Sequence, residues 1–206
     1  MSSFQSDLKQ EQILAKHLDA LYKSKGWNFK RISNIEKQKQ GIDLEIFYGD
    51  KVYRIDEKAQ LHYLNSSLPT FTFELSYLDK HNNPKLGWLL DENKKTDYYF
   101  LITSIRTKRK IKKLESTSDI SSIKLTSVNH KRLLAHLGHL GLEKDMLLEY
   151  DLILRDNYSY GKNSLVELDA KTQGLIYFTK HFNEKPMNLQ LRLQYLIETG
   201  VAKNIQ

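Results

Sequence analysis

Gly41-Ile42-Asp43-Leu44-Glu45 and, shortly after it, Ile55-Asp56-Glu57-Lys58-Ala59-Gln60 decide how this chain is read. Between them lies Gly49-Asp50, a two-residue turn signal with β-forming residues on both sides. The pattern predicts two antiparallel strands, over residues 42–48 and 52–59. Side chains alternate along a strand. Val52, Arg54, Asp56 and Lys58 therefore leave one face, and Tyr53, Ile55, Glu57 and Ala59 the other. Asp56 and Lys58 stand about 7 Å apart on their shared face. Counting outward from the turn along both arms brings Asp43 opposite Asp56.

Two carboxylates held close together repel each other and form a hard oxygen site. Mg²⁺ suits such a site, because it accepts one or two carboxylates and completes its shell with water and phosphate oxygens. There it would polarise a phosphodiester and acidify water. A lysine beside the pair would hold or deprotonate the attacking water and offset charge developing on phosphorus. Two acids and a lysine are thus a sufficient kit for phosphodiester hydrolysis.

The elements around the hairpin predict an α/β or α+β fold with a mixed central sheet flanked by helices. Leu14, Leu18, Leu21 and Tyr22 recur at helical spacing over residues 6–25, with Ser6 suited to cap the start and Gly26 the end. Glu11 falls on the same face. Residues 70–75 and 98–103 read as further strands, separated by an Asn82-Asn83-Pro84 turn. Helices are expected over residues 129–140 and 143–154, and a strand over 175–178. Beyond Leu189 the pattern fits both a strand and a helix. The whole chain reads as one domain. Residues 6–103 form its catalytic core, and residues 104–206 an extension for DNA binding or dimerisation.

Composition narrows the function classes. The 206 residues contain no cysteine, which excludes disulfides and cysteine-based zinc sites and suits a reducing, cytoplasmic setting. No signal peptide or membrane-spanning stretch is visible. A net charge of +7 favours an acidic partner such as nucleic acid. The densest positive run is Arg106, Lys108, Arg109, Lys110, Lys112 and Lys113, a set suited to phosphate contacts or to a solvated loop. Gln60 shares the face of Lys58 and is a candidate for substrate contact. His130, His136 and His139 lack clustered acids and read as helix-surface residues. Trp27 and Trp88 read as core.

The hairpin resembles the PD-(D/E)XK nuclease superfamily, the fold of type II restriction enzymes, Holliday-junction resolvases and many phage and repair nucleases. Gly41-Ile42-Asp43 and Asp56-Glu57-Lys58 match its pattern of an acid at a strand start, then acid-x-Lys on the next strand. The resemblance spans about residues 6–103. It implies a Mg²⁺-dependent deoxyribonuclease, with Mn²⁺ able to substitute, in which Asp43, Asp56 and Lys58 are catalytic and Asp43 and Asp56 bind metal. Glu11 matches the first-helix acid that several members add. Two positions depart from the pattern: no proline precedes Asp43, and Glu57 stands where an apolar residue is usual. Glu57 is then either an opening toward the rear of the sheet or a further metal ligand. A restriction enzyme would act on duplex DNA as a homodimer. A structure-selective repair or recombination nuclease, and a non-catalytic binding protein on the same fold, are the other readings.

Overall fold

Gly49 takes the left-handed conformation (φ 56°) that reverses the chain between strands β2 (Leu44–Tyr48) and β3 (Lys51–Ala59). In the computed structural model, which describes residues 3–206 and side chains from residue 7 onward, the hairpin pairs Leu44 with Ile55 and Tyr48 with Lys51. One step further along that register, Asp43 meets Asp56, and the Asp43 N–H donates to the Ile55 carbonyl at 2.8 Å.

The hairpin is the centre of the first of two compact units. This unit comprises residues 1–68, 96–128 and 204–206. Helix α1 (Ser3–Ser24) starts before Ser6, and the cap expected there rests on a side chain outside the described ones. Gly26, at φ 69°, ends the turn that follows. Strand β1 (Asn28–Arg31) pairs antiparallel with β2, and a short helix, α2 (Ile35–Lys39), leads back to Gly41. Strand β6 (Tyr98–Thr107) pairs parallel with β3, which makes the sheet mixed. With β7 (Ile120–Asn129) and β11 (Ala202–Asn204) the order is β1-β2-β3-β6-β7-β11. The apolar stripe of α1, including Leu14, Leu18 and Tyr22, packs with Leu44, Ile55, Phe100 and Ile102 from one face of the sheet. Trp27 packs against this cluster.

The second unit comprises residues 69–95 and 129–203. Its sheet has the order β5-β4-β10-β9-β8, built from β4 (Thr70–Leu78), β5 (Pro84–Leu86), β8 (Gly161–Asn163), β9 (Gly174–Phe178) and β10 (Met187–Arg192). Helices α3 (His130–His139), α4 (Lys144–Asp156) and α5 (Leu193–Glu198) belong to it. The ambiguity after Leu189 resolves into both alternatives in succession, a strand ending at Arg192 and a helix beginning at Leu193. Trp88 packs on Phe73, and His136 bonds to the Tyr195 hydroxyl at 2.7 Å.

The mixed α+β class is as expected. The division of the chain is not the expected one, a core over residues 6–103 followed by an extension. The chain crosses between the units at residues 68–69, 95–96, 128–129 and 203–204, so both halves of the sequence contribute to each. Residues 70–75 read locally as a strand of the same sheet as the hairpin. Their partners in fact lie at Met187–Arg192, far along the chain.

Candidate active site

Strand alternation sends Ile55 and Glu57 toward α1 and sends Asp56 and Lys58 to the opposite face. Parallel pairing with β6 sets Tyr99 beside Asp56 and Leu101 beside Lys58. Asp56 is 2% exposed. Lys58 donates to its Oδ1 at 2.9 Å. Burial, the first cause, pushes the Asp56 carboxyl up to about 7; Lys58 opposes this, and the Asp43 charge adds to it. The expected convergence of Asp43, Asp56 and Lys58 is therefore present. The Tyr99 phenol is also shifted upward, first by burial and then by the Asp56 charge.

Asp43 is steadied from behind. Its Oδ2 accepts the Glu57 backbone N–H at 2.7 Å. Just upstream, the Gly41 carbonyl accepts the Thr96 hydroxyl at 2.8 Å. Gly41 itself sits at φ 73°, a backbone state that glycine adopts without steric cost.

Glu57 does not join the pair. Tyr22 donates its hydroxyl to Glu57 Oε1 at 2.7 Å, and the Arg31 guanidinium donates to Oε2 at 2.6 Å. Arg31 also donates to Asp19 at 2.7 Å. Burial raises the Glu57 carboxyl, while Arg31 and Tyr22 lower it. The reading of Glu57 as a further metal ligand is corrected by this geometry: both its oxygens are taken by cation and phenol on the α1 side of the strand. A carboxylate in a position otherwise suited to an apolar side chain is tolerated because it is fully partnered.

Glu11 is exposed, yet it belongs to the same electrostatic neighbourhood. Desolvation first, then Asp43 and Asp7, raise its carboxyl; Lys58 and His62 oppose them. His62 lies on the short 3-10 turn Leu61–Tyr63 that follows β3. Gln60 starts that turn, with its N–H bonded to the Ile102 carbonyl at 3.0 Å. Arg106 lies near the end of β6, where its guanidinium donates to the Asn65 carbonyl and to Ser67 Oγ, and the chain runs on from Thr107 into a basic loop over residues 108–113. Tyr99 and His62 carry no local sequence signal for the site. Pairing with β6 and the turn after β3 bring them there.

Among the described residues, no three His, Cys, Asp or Glu side chains stand close enough to hold a metal ion unaided. Mg²⁺ requires fewer, because waters and substrate oxygens fill most of its shell. Asp43 and Asp56 supply an oxygen-only pair whose mutual repulsion a divalent cation would relieve, so the donor set fits. Comparison with protein-family models, with curated proteins and with solved structures gave no match.

Proposed function

We propose that this chain is a Mg²⁺-dependent endonuclease acting on duplex DNA. The observation that carries the proposal is the buried Asp56 carboxyl, set against Asp43 across the hairpin and bonded to Lys58 at 2.9 Å. A buried pair of this kind lowers stability by itself, and a bound cation would turn the same pair into a site.

In this reading Asp43 and Asp56 would hold Mg²⁺, with Mn²⁺ as a substitute, and the cation would supply Lewis-acid activation of the scissile phosphate. Lys58 holds the attacking water and offsets the negative charge that develops on the phosphoryl oxygens. The Glu57 N–H keeps Asp43 in place, and the Tyr22–Glu57–Arg31 network anchors that peptide from the α1 side. Glu11 adjusts the field at Asp43 from the solvent side. Gln60 and the cations of residues 108–113 contact substrate.

Charge distribution supports a polyanionic substrate for this unit. Unit 1 carries 18 Lys and Arg against 12 Asp and Glu, whereas unit 2 carries 14 against 13. The excess of cations thus lies with the acid pair.

The test is incubation with a supercoiled plasmid and Mg²⁺, followed by analysis of the products. Discrete fragments mark a restriction enzyme, for which a palindromic target calls for a homodimer. Products confined to junctions or distorted DNA mark a structure-selective nuclease. A plasmid left intact over a range of Mg²⁺ and Mn²⁺ concentrations, with branched substrates also left intact, overturns the assignment.

A further inference from the structure

We infer that residues 106–113 form a pre-set clamp for the phosphate backbone of duplex DNA, with Asn65 and Arg106 as its latch and Lys108, Arg109, Lys110 and Lys112 as its grip. The choice of DNA over other polyanions rests on the reading of Asp43 and Asp56 given above; the latch does not.

A basic loop in solvent needs no anchors, and this one has several. Asn65 follows the turn after β3 and sits at φ 63°, a left-handed state that Asn tolerates better than most residues. Its N–H donates to the Ile105 carbonyl at 2.8 Å. Its Oδ1 accepts from Thr107 N at 2.9 Å and from Thr107 Oγ1 at 3.0 Å, and its Nδ2 donates to the Ile111 carbonyl at 3.0 Å. Its own carbonyl accepts from Arg106. Arg106 reaches on to Ser67 Oγ at 3.1 Å, and Thr107 Oγ1 accepts the Ile111 N–H at 3.1 Å. At the far end, the N–H of buried Leu114 donates to Oε1 of buried Gln10 at 3.1 Å. Ile111 and Leu114 face the core cluster of the unit.

The cations between these anchors point elsewhere. Lys108, Arg109, Lys110 and Lys112 are exposed, and among the described residues none of them forms an ion pair. Asp119 senses Lys108 and Arg109, but its carboxylate accepts the N–H groups of Glu115 and Ser116. The anchors also fix where the loop lies. The loop continues β6, whose Tyr99 and Leu101 pair with Asp56 and Lys58. It begins seven residues past Leu101, about 20 Å along the strand, so phosphates held by it would belong to a duplex that extends beyond the one at Asp43 and Asp56. The role assigned to these cations is phosphate contact, which sets affinity and register on the duplex.

A loop already fixed in shape loses little conformational freedom on binding. Latch and grip should thus fail differently. Duplex affinity is measured in EDTA across a salt series for the wild type, the triple variant K108Q/K110Q/K112Q, Asn65→Gly and Thr107→Val, alongside limited trypsin digestion. Glycine keeps the positive φ and removes only the side chain. The triple variant is expected to flatten the slope of log K against log salt by about 2.7, near 0.9 per lost phosphate contact. Asn65→Gly should keep the slope within about half a unit, weaken binding about tenfold at every salt concentration, and open residues 108–113 to trypsin. Thr107→Val should repeat this in smaller measure, and it carries the test if Asn65→Gly does not fold. Wild-type affinity and trypsin resistance in the latch variants would overturn the latch. An unchanged slope in the triple variant would overturn the grip, and equal affinity for anionic phospholipid vesicles would overturn the assignment to DNA. Every measurement excludes metal, so loss of plasmid cleavage leaves these outcomes intact.

Discussion

Each unit buries an aspartate almost completely, Asp56 at 2% exposure in the first and Asp151 at 4% in the second, yet their surroundings are opposite. Asp151 accepts the Ser76 hydroxyl at 2.8 Å and Arg155 Nε at 2.9 Å. Arg155 in turn donates to Ser76 at 2.6 Å and to the Lys185 carbonyl at 3.1 Å, and it lies over the Phe178 ring. This network ties α4 to β4 and to the turn before β10, with its charges matched inside it. Asp56 has Lys58 as a partner, but a second carboxylate stands against it and the lysine is 30% exposed. Burial of a charge with its counter-charge is a structural device. Burial of a charge beside a like charge lowers stability until something positive arrives, and that imbalance is what separates the two aspartates.

The contrast is sharpest in opposite stability effects. Asp151→Ala leaves the Arg155 guanidinium buried without its carboxylate and should cost about 3–5 kcal/mol, read from thermal or denaturant unfolding. A loss under about 1 kcal/mol would mean that the network contributes little. Asp56→Asn should do the reverse in metal-free protein. The folded-state pKa of Asp56 is raised from 3.8 to about 7, so the folded state retains a proton that the unfolded chain has released. Stability contributed by that proton is present at low pH and lost as pH rises from about 4 through about 7. At pH 8 the variant should therefore be more stable than wild type, by at most about 4 kcal/mol at 1.36 kcal/mol per pKa unit, with the gap closing near pH 4. Equal stability at both pH values would contradict the strained pair.

Catalytic effects come next in size. Asp43→Ala should slow plasmid cleavage at least about 10²-fold, roughly 2.7 kcal/mol of barrier, without loss of DNA binding. Lys58→Arg keeps a cation but changes its shape and places its proton beyond use as a base, so cleavage should nearly vanish while metal affinity remains. The smallest effect belongs to Glu11. It senses Asp43 and Lys58 from an exposed position, and Glu11→Gln should change the cleavage rate by about tenfold or less. A loss comparable to that of Asp43→Ala would promote it to a direct ligand.

Much of this site was legible because its signals are local. Gly49-Asp50 fixes the hairpin, and the hairpin register fixes Asp43 against Asp56, so counting residues suffices. The helical stripe at Leu14, Leu18 and Tyr22 was equally readable, as were α3 and α4. What escaped depends on distant partners. Strand β1 is four residues long, and Ser121 and Ser122 break the alternation of β7, so neither has a strong period. The division into two units is set by the pairing of Thr70–Leu78 with Met187–Arg192, which no local pattern encodes. Glu57 gave a genuine ambiguity. Its partners Tyr22 and Arg31 come from α1 and β1, and only their positions show that the carboxylate faces away from Asp43. The cations of residues 106–113 looked equivalent in sequence, while the structure sets Arg106 apart through Asn65 and Ser67.

If the pair in unit 1 is a metal-dependent phosphodiester site, as proposed, the rate of plasmid cleavage against Mg²⁺ concentration must separate the wild type from Asp56→Asn, with duplex binding of both measured in EDTA. Wild type should cleave only when Mg²⁺ is present, and Asp56→Asn should show no detectable cleavage at equal DNA affinity. Cleavage by wild type in EDTA, or Asp56→Asn cutting at the wild-type rate, would contradict the proposal.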